Sequence, residues 1–183
     1  YMAPSLQRRF YGMVNDLNET SYMERPQYIS SGMWRDVWSV TPRWVPGSST
    51  LIRNKERAVL KIMKLEHDVN FRNMDRHRRD AMVMEHLTSS PNVVSIYGHC
   101  GNTVLTEMGA QTLESVLMSG SISGPNGTTH PVVVSRSTPL GRLRLARDAA
   151  NGVAALHSVP GGPVIHADIT AKQFLVDFEG HIK

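Results

Sequence analysis

The chain has 183 residues, 40% of them apolar and 20% charged, with a net charge of +4. That balance describes a globular chain long enough to bury a sizeable core, and it excludes a low-complexity or fibrous class. A single cysteine, Cys100, excludes an intramolecular disulfide framework, and no run approaches the ~20 apolar residues of a membrane span.

Residues 1–27 show little periodicity and read as a lead-in, with one short helix near Arg8 to Asn15. No signal-peptide pattern opens the chain. The triplets at Asn18 and Asn126 match a glycosylation acceptor, a pattern that also arises by chance. From Tyr28 to Val40 the apolar residues Ile29, Met33, Val37, Trp38 and Val40 predict a β-hairpin around Gly32. A loop rich in Pro, Gly and Ser follows, Thr41 to Thr50. Ala58-Val59-Leu60-Lys61-Ile62-Met63 then reads as a buried strand.

Between Phe71 and Ser89, His77, Ala81, Met84 and Leu87 recur at spacings of three and four, the mark of an amphipathic helix. Its basic run, Arg72 to Arg79, reads as a solvated face. Aromatic residues do not interleave with these charges, which argues against a nucleic-acid partner. Val93 to Tyr97 and Val104 to Met108 are predicted strands joined by a turn at Gly101-Asn102, with Cys100 a small buried residue at the strand end. Thr112 to Met118 is a short helix.

Residues 119–139 form a polar insertion rich in Gly, Ser, Thr and Pro, expected to be flexible. The longest helix is Leu140 to His157, with Leu143, Ala146, Ala150, Val153 and Leu156 on one face. Val164-Ile165 and Phe174 to Val176 are predicted as short strands around His166 to Gln173. Glu179-Gly180 makes a tight turn before a final strand, Gly180 to Lys183. This order gives an α+β fold, a small antiparallel sheet lobe followed by a mainly helical lobe, divided as 28–108 and 109–183.

Ala58-Val59-Leu60-Lys61 in the third strand, His166-Ala167-Asp168 late in the chain and the helix Leu145 to His157 that leads to it resemble the protein-kinase family in order and placement. The family's motifs are a Gly-rich loop, a strand lysine, a helix acid, H-R-D-x-x-x-x-N and D-F-G. The resemblance covers Tyr28 to Lys183. It implies transfer of the γ-phosphoryl group of ATP to a protein hydroxyl, with Mg2+, and a cytoplasmic location.

Residue by residue, the resemblance implies that Lys61 holds the α- and β-phosphates and is paired with Asp80 on the helix, 19 residues on. Gly32, Val37 and Ala58 would line the nucleotide. Thr106 would guard the back of the pocket, and the main chain of Glu107 and Gly109 would bond the adenine. Asp168 would orient the attacking hydroxyl, and Lys172 would steady the transferring phosphate. Gln173 would be the magnesium ligand. His166 would pack under the loop.

Three departures from the pattern stand out. Of the Gly-rich loop only Gly32 survives in Ser30-Ser31-Gly32-Met33-Trp34-Arg35-Asp36-Val37, and Arg35 would offer its guanidinium to the phosphates. Ala167 replaces the arginine that meets a phosphorylated activation loop, which argues against that control. Gln173 replaces Asn at the metal position, where magnesium demands near-octahedral geometry. D-F-G is expected a few residues beyond Lys183, so this piece alone is expected to be inactive and to expose an apolar surface on Leu140 to His157. The alternatives are a pseudokinase that binds nucleotide or a partner, and a small-molecule phosphotransferase of similar fold.

Overall fold

A computed structural model describes residues 26–41, 57–88, 90–119, 122–123, 129–130 and 138–183. The expected helix at Arg8 to Asn15, the loop residues 42–50 and most of the 119–139 insertion lie outside the described residues. The chain divides into two units. One comprises the described residues up to Met82 together with Ile96–Met108, and the other comprises Val83–Ser95 together with Gly109–Lys183.

The first unit is built on an antiparallel sheet. Its strands are β1 (Gln27–Ser31), β2 (Arg35–Val40), β3 (Ala58–Met63), β4 (Ile96–Cys100) and β5 (Thr103–Glu107), in the order β1-β2-β3-β5-β4. The β1–β2 hairpin closes where the Gly32 amide donates to the Arg35 carbonyl at 2.9 Å. β3 runs through the middle because its side chains are apolar on both faces, and Ala58, Leu60 and Ile62 are buried together with Val40. Trp38, Tyr97 and Leu105 pack against that cluster.

β4 begins at Ile96, three residues later than Val93, where the sequence predicts it. The two valines look strand-forming, but local turns claim them first: the Ser90 amide donates to Leu87 O and the Val93 amide to Ser90 O. Cys100 ends β4 as predicted, but it is exposed rather than buried. It pairs with Thr103 at the turn end of the β4–β5 hairpin, beside Gly101-Asn102.

Helix α1 spans Phe71–Leu87. Asn70 caps its start, its side-chain oxygen accepting from the Asn73 amide at 2.9 Å. Its predicted apolar spacing appears as burial of His77, Ala81 and Leu87, with Met84 half-buried. The basic run is solvated in the main. Arg78 and Arg79 both pair with Asp75 on the same helix, at 2.9 and 2.6 Å.

The second unit holds two further helices, α2 (Leu113–Ser119) and α3 (Pro139–His157). Thr138 caps α3, accepting from the Gly141 amide, and Pro139 occupies the first turn, where a missing N–H costs nothing. Short strands β6 (Gln111–Thr112) and β9 (Leu175–Val176) pair, and Val176 also bridges Ile182. Val116, Leu145, Val176 and Ile182 form the core of this unit. Val164-Ile165 does not form a strand: Val164 is tied by its amide to Leu156 O at the end of α3. Inside the polar insertion two 2-residue strands, β7 (Ile122–Ser123) and β8 (Thr129–His130), pair antiparallel where no regular structure is predicted.

α3 buries Gly141, Leu145, Asp148 and Gly152, a stripe spaced by four, three and four. The apolar stripe singled out in the sequence is a different one. On it Leu143 is 66% exposed, and Ala146 and Ala150 are exposed too, as is Leu140 at 60%. The expected apolar surface on this helix is therefore present. Among the described residues no helix is long and apolar enough to cross a membrane.

Candidate functional site

Strand alternation decides which residues share a face with Lys61. Lys61 lies opposite Val37 on β2 and Val104 on β5, and Val59 lies opposite Ser39 and Thr106. Side chains alternate across a strand, so Val37, Val59, Lys61, Val104 and Thr106 all stand on one face. Ala58 does not join them. It is three residues from Lys61, fully buried on the other face and packed into the core with Val40 and Leu60. The residue of this strand that shares the lysine's face is Val59, which the motif-based reading passed over. The alternation that identifies it was present in the sequence.

Thr106 is buried, with its hydroxyl donating to the Glu107 carbonyl at 3.1 Å. Glu107 closes β5 opposite Ala58. Gly109 opens the second segment of the second unit. A Cβ there would lie 3.0 Å from Leu175 Cβ, tighter than ordinary van der Waals contact, so the close approach of β9 favours glycine.

Lys61 and Asp80 do not form the expected ion pair. The Asp80 carboxylate is held by Arg35 at 2.7 Å. Arg35 stands at the start of β2, opposite Met63, on the same sheet face as Lys61 and one diagonal step from it. Its Nε donates to His77 Nδ1 at 3.0 Å, and a second guanidinium nitrogen lies 2.7 Å from the same atom. Arginine only donates, so Nδ1 accepts and the proton of the neutral imidazole sits on Nε2. Nε2 is buried and has no hydrogen-bond partner among the described residues. Burial, then the Arg35 charge, hold His77 at a pKa of about 4. The Arg35 side chain is thus spent within its own unit, and it is only 15% exposed.

Trp34 extends this cluster. Its ring lies 4.3 Å from the His67 ring, and the Arg76 guanidinium sits over it at 4.4 Å. His67 Nε2 in turn donates to Met33 O at 2.7 Å. Gly32 itself is exposed, and an added Cβ would meet only Arg35 O at 3.7 Å. Lys61 is left as a half-buried ammonium without an ion pair among the described residues. Its pKa is pushed down, first by burial and then by Arg35, with Asp80 acting in the opposite sense.

In the second unit the segment His166 to Gln173 crosses the start of α2. The Glu114 amide donates to Ala171 O, and the Gln173 amide donates to Thr170 O. Gln173 Nε2 donates to Asp168 Oδ2 at 2.6 Å, so two of the residues singled out in the sequence are joined directly. Lys172 lies 3.8 Å from Glu114 in an exposed ion pair. His166 is exposed rather than packed under the loop, because the loop follows Gly161-Gly162-Pro163 along the surface of the unit.

The donor chemistry bears on magnesium. With Nε2 engaged on Asp168, the amide oxygen of Gln173 stays available, and Asp168 adds carboxylate oxygen; both are hard donors of the kind magnesium takes. No cluster of three or more His, Cys, Asp or Glu able to hold a metal forms among the described residues.

The comparisons with known proteins agree with this arrangement. No curated protein matches the chain. A family model described as protein tyrosine and serine/threonine kinase matches residues 24–183. That match takes in the five-stranded sheet with Lys61, helix α1 and the loop carrying Asp168 and Gln173, so the chain belongs to the protein tyrosine and serine/threonine kinase family.

Proposed function

We propose that the full-length protein transfers the γ-phosphoryl group of ATP to a protein hydroxyl. The observation that carries this reading is the Gln173–Asp168 hydrogen bond, which fixes one oxygen of an exposed carboxylate and leaves the other for an incoming hydroxyl. Asp168 orients that hydroxyl and accepts its proton. Lys61, a fixed cation on the sheet face shared with Val37, Val59 and Thr106, anchors the α- and β-phosphates. The backbone of Glu107 and Gly109 reads adenine. Gln173 would hold Mg2+ through its amide oxygen, and the ion would supply charge neutralisation on the phosphates. Lys172, drawn off Glu114, adds positive charge near the transferred group; the pair is exposed and weak enough to exchange.

One observation favours a second reading, a nucleotide-binding module without phosphotransfer. Asp80 is held by Arg35, so Lys61 lacks the acid that a working kinase sets against it.

The two readings share nucleotide binding and part at transfer. Titrating Mg-ATP into the full-length protein tests the shared step. Lys61→Met is expected to weaken affinity roughly 10- to 100-fold, the worth of a charge-assisted contact. Asp168→Asn should leave affinity nearly unchanged. Equal affinity in wild type and Lys61→Met would remove Lys61 from the nucleotide site.

A further inference from the structure

Two cations stand side by side on one sheet face, Arg35 on β2 and Lys61 on β3, and one carboxylate, Asp80, lies within the electrostatic reach of both. Arg35 has it. Arg35 also holds a second anchor, the buried neutral imidazole of His77, one helical turn before Asp80. A guanidinium offers its donors in a rigid planar fork, so one side chain can bind the imidazole and the carboxylate together, which a lysine ammonium does less well.

We propose that Arg35, anchored on His77, is a latch that competes with Lys61 for Asp80 and holds the helix acid away from the lysine. This rests on the reading of Lys61 as the phosphate anchor. The latch sits where the family's loop has its third glycine, a residue with no side chain to compete. In the latched state Asp80 spends its charge on Arg35, and Lys61 stays a half-buried ammonium with no counter-ion among the described residues. Release of Arg35 frees Asp80, which then turns to Lys61 and fixes it for nucleotide. Arg35 is a positioning residue in this scheme, acting on Lys61 through Asp80. Phosphate groups entering beside the sheet would draw Arg35 off in the same way, so the latch couples nucleotide entry to the Lys61–Asp80 pair.

The test reads Lys61 itself. In the full-length protein, the pH dependence of Lys61 acylation by an amine-reactive ester is followed by peptide mass spectrometry. Arg35→Gln is expected to move the Lys61 midpoint upward. Loss of the Arg35 charge would do this without any movement of Asp80, so a double-mutant cycle separates the causes. If Asp80 moves to Lys61 on release, Asp80→Asn lowers the midpoint by much more in the Arg35→Gln background than in wild type. The same downward shift in both backgrounds would overturn the latch. His77→Phe, which keeps a ring and removes the acceptor, releases Arg35 by a second route and should give the same enlarged Asp80 effect should Arg35→Gln fail to fold. Mg-ATP titration of the same proteins keeps the outcomes apart. Tighter binding in the released variants extends the latch to nucleotide entry. Absence of binding in every protein would overturn the phosphate-anchor reading, while the acylation cycle would still decide the latch.

Discussion

His77 shows how one side chain can decide the electrostatics of a neighbourhood. It accepts from Arg35 only while neutral, and it is packed among Arg35, Trp34, Arg76 and His67 with Asp80 nearby. Its pKa falls from 6.5 to about 4 in the folded chain. Between those values the unfolded state binds more protons than the folded one, so stability rises with pH through this window. The contribution is fully present above the unfolded value and is lost as pH falls toward 4. Urea unfolding of wild type and His77→Gln from pH 4 to 7 should show a shallower slope in the variant, by at most about 1.4 kcal/mol per pH unit. Parallel slopes would mean that His77 titrates normally. None of this was legible in the sequence, where His77 appears only as one member of an apolar helix stripe. Arg35 is 42 residues from His77, and no local pattern announces a contact across that separation. Asp80 was legible as an acid on the helix, but its partner was not, because the choice between Arg35 and Lys61 depends on the geometry of the sheet face.

At the level of elements, β3 was read to the residue because an apolar run interrupted only by Lys61 and bounded by Arg57 and Lys64 has few other uses. β4 was misplaced because two β-branched valines outweighed the turn made by Ser90, Pro91 and Asn92. Helix α3 was read in extent but not in orientation. Its buried stripe contains Gly141, Asp148 and Gly152, residues that no hydropathy pattern ranks as core. Gly152 is buried because backbone comes so close: a Cβ there would lie 2.6 Å from Asn92 O. Asn92 is itself fixed, its side chain donating to Ile182 O at 3.0 Å, so it has little room to give. Gly152→Ala should therefore destabilise the second unit by about 1–3 kcal/mol, despite the gain in helix propensity. Gly98 on β4 is the control, since nothing lies within 4 Å of an added Cβ. Gly98→Ala should be close to neutral. A thermal melt of Gly152→Ala equal to wild type would refute the close helix–loop packing.

For the whole molecule, the order of elements carried the family reading, and the family match over residues 24–183 agrees with it. That order was legible because each motif falls on the element that suits its chemistry: a cation on a rigid strand, a carboxylate on a loop pinned to a helix start. The details of the motifs were less informative. Ala58 stands three residues before Lys61 and on the opposite sheet face, whereas Val59, two before it, shares the lysine's face. The central claim is that Asp168, oriented by Gln173, acts on the attacking hydroxyl. The measurement that tests it most directly is radiolabelled γ-phosphoryl transfer from Mg-ATP to protein by the full-length chain, wild type against Asp168→Asn. The account predicts transfer by wild type and a fall of about 100-fold or more in the variant, the usual worth of a positioned base. Equal transfer by the two proteins, or none by wild type, would contradict it.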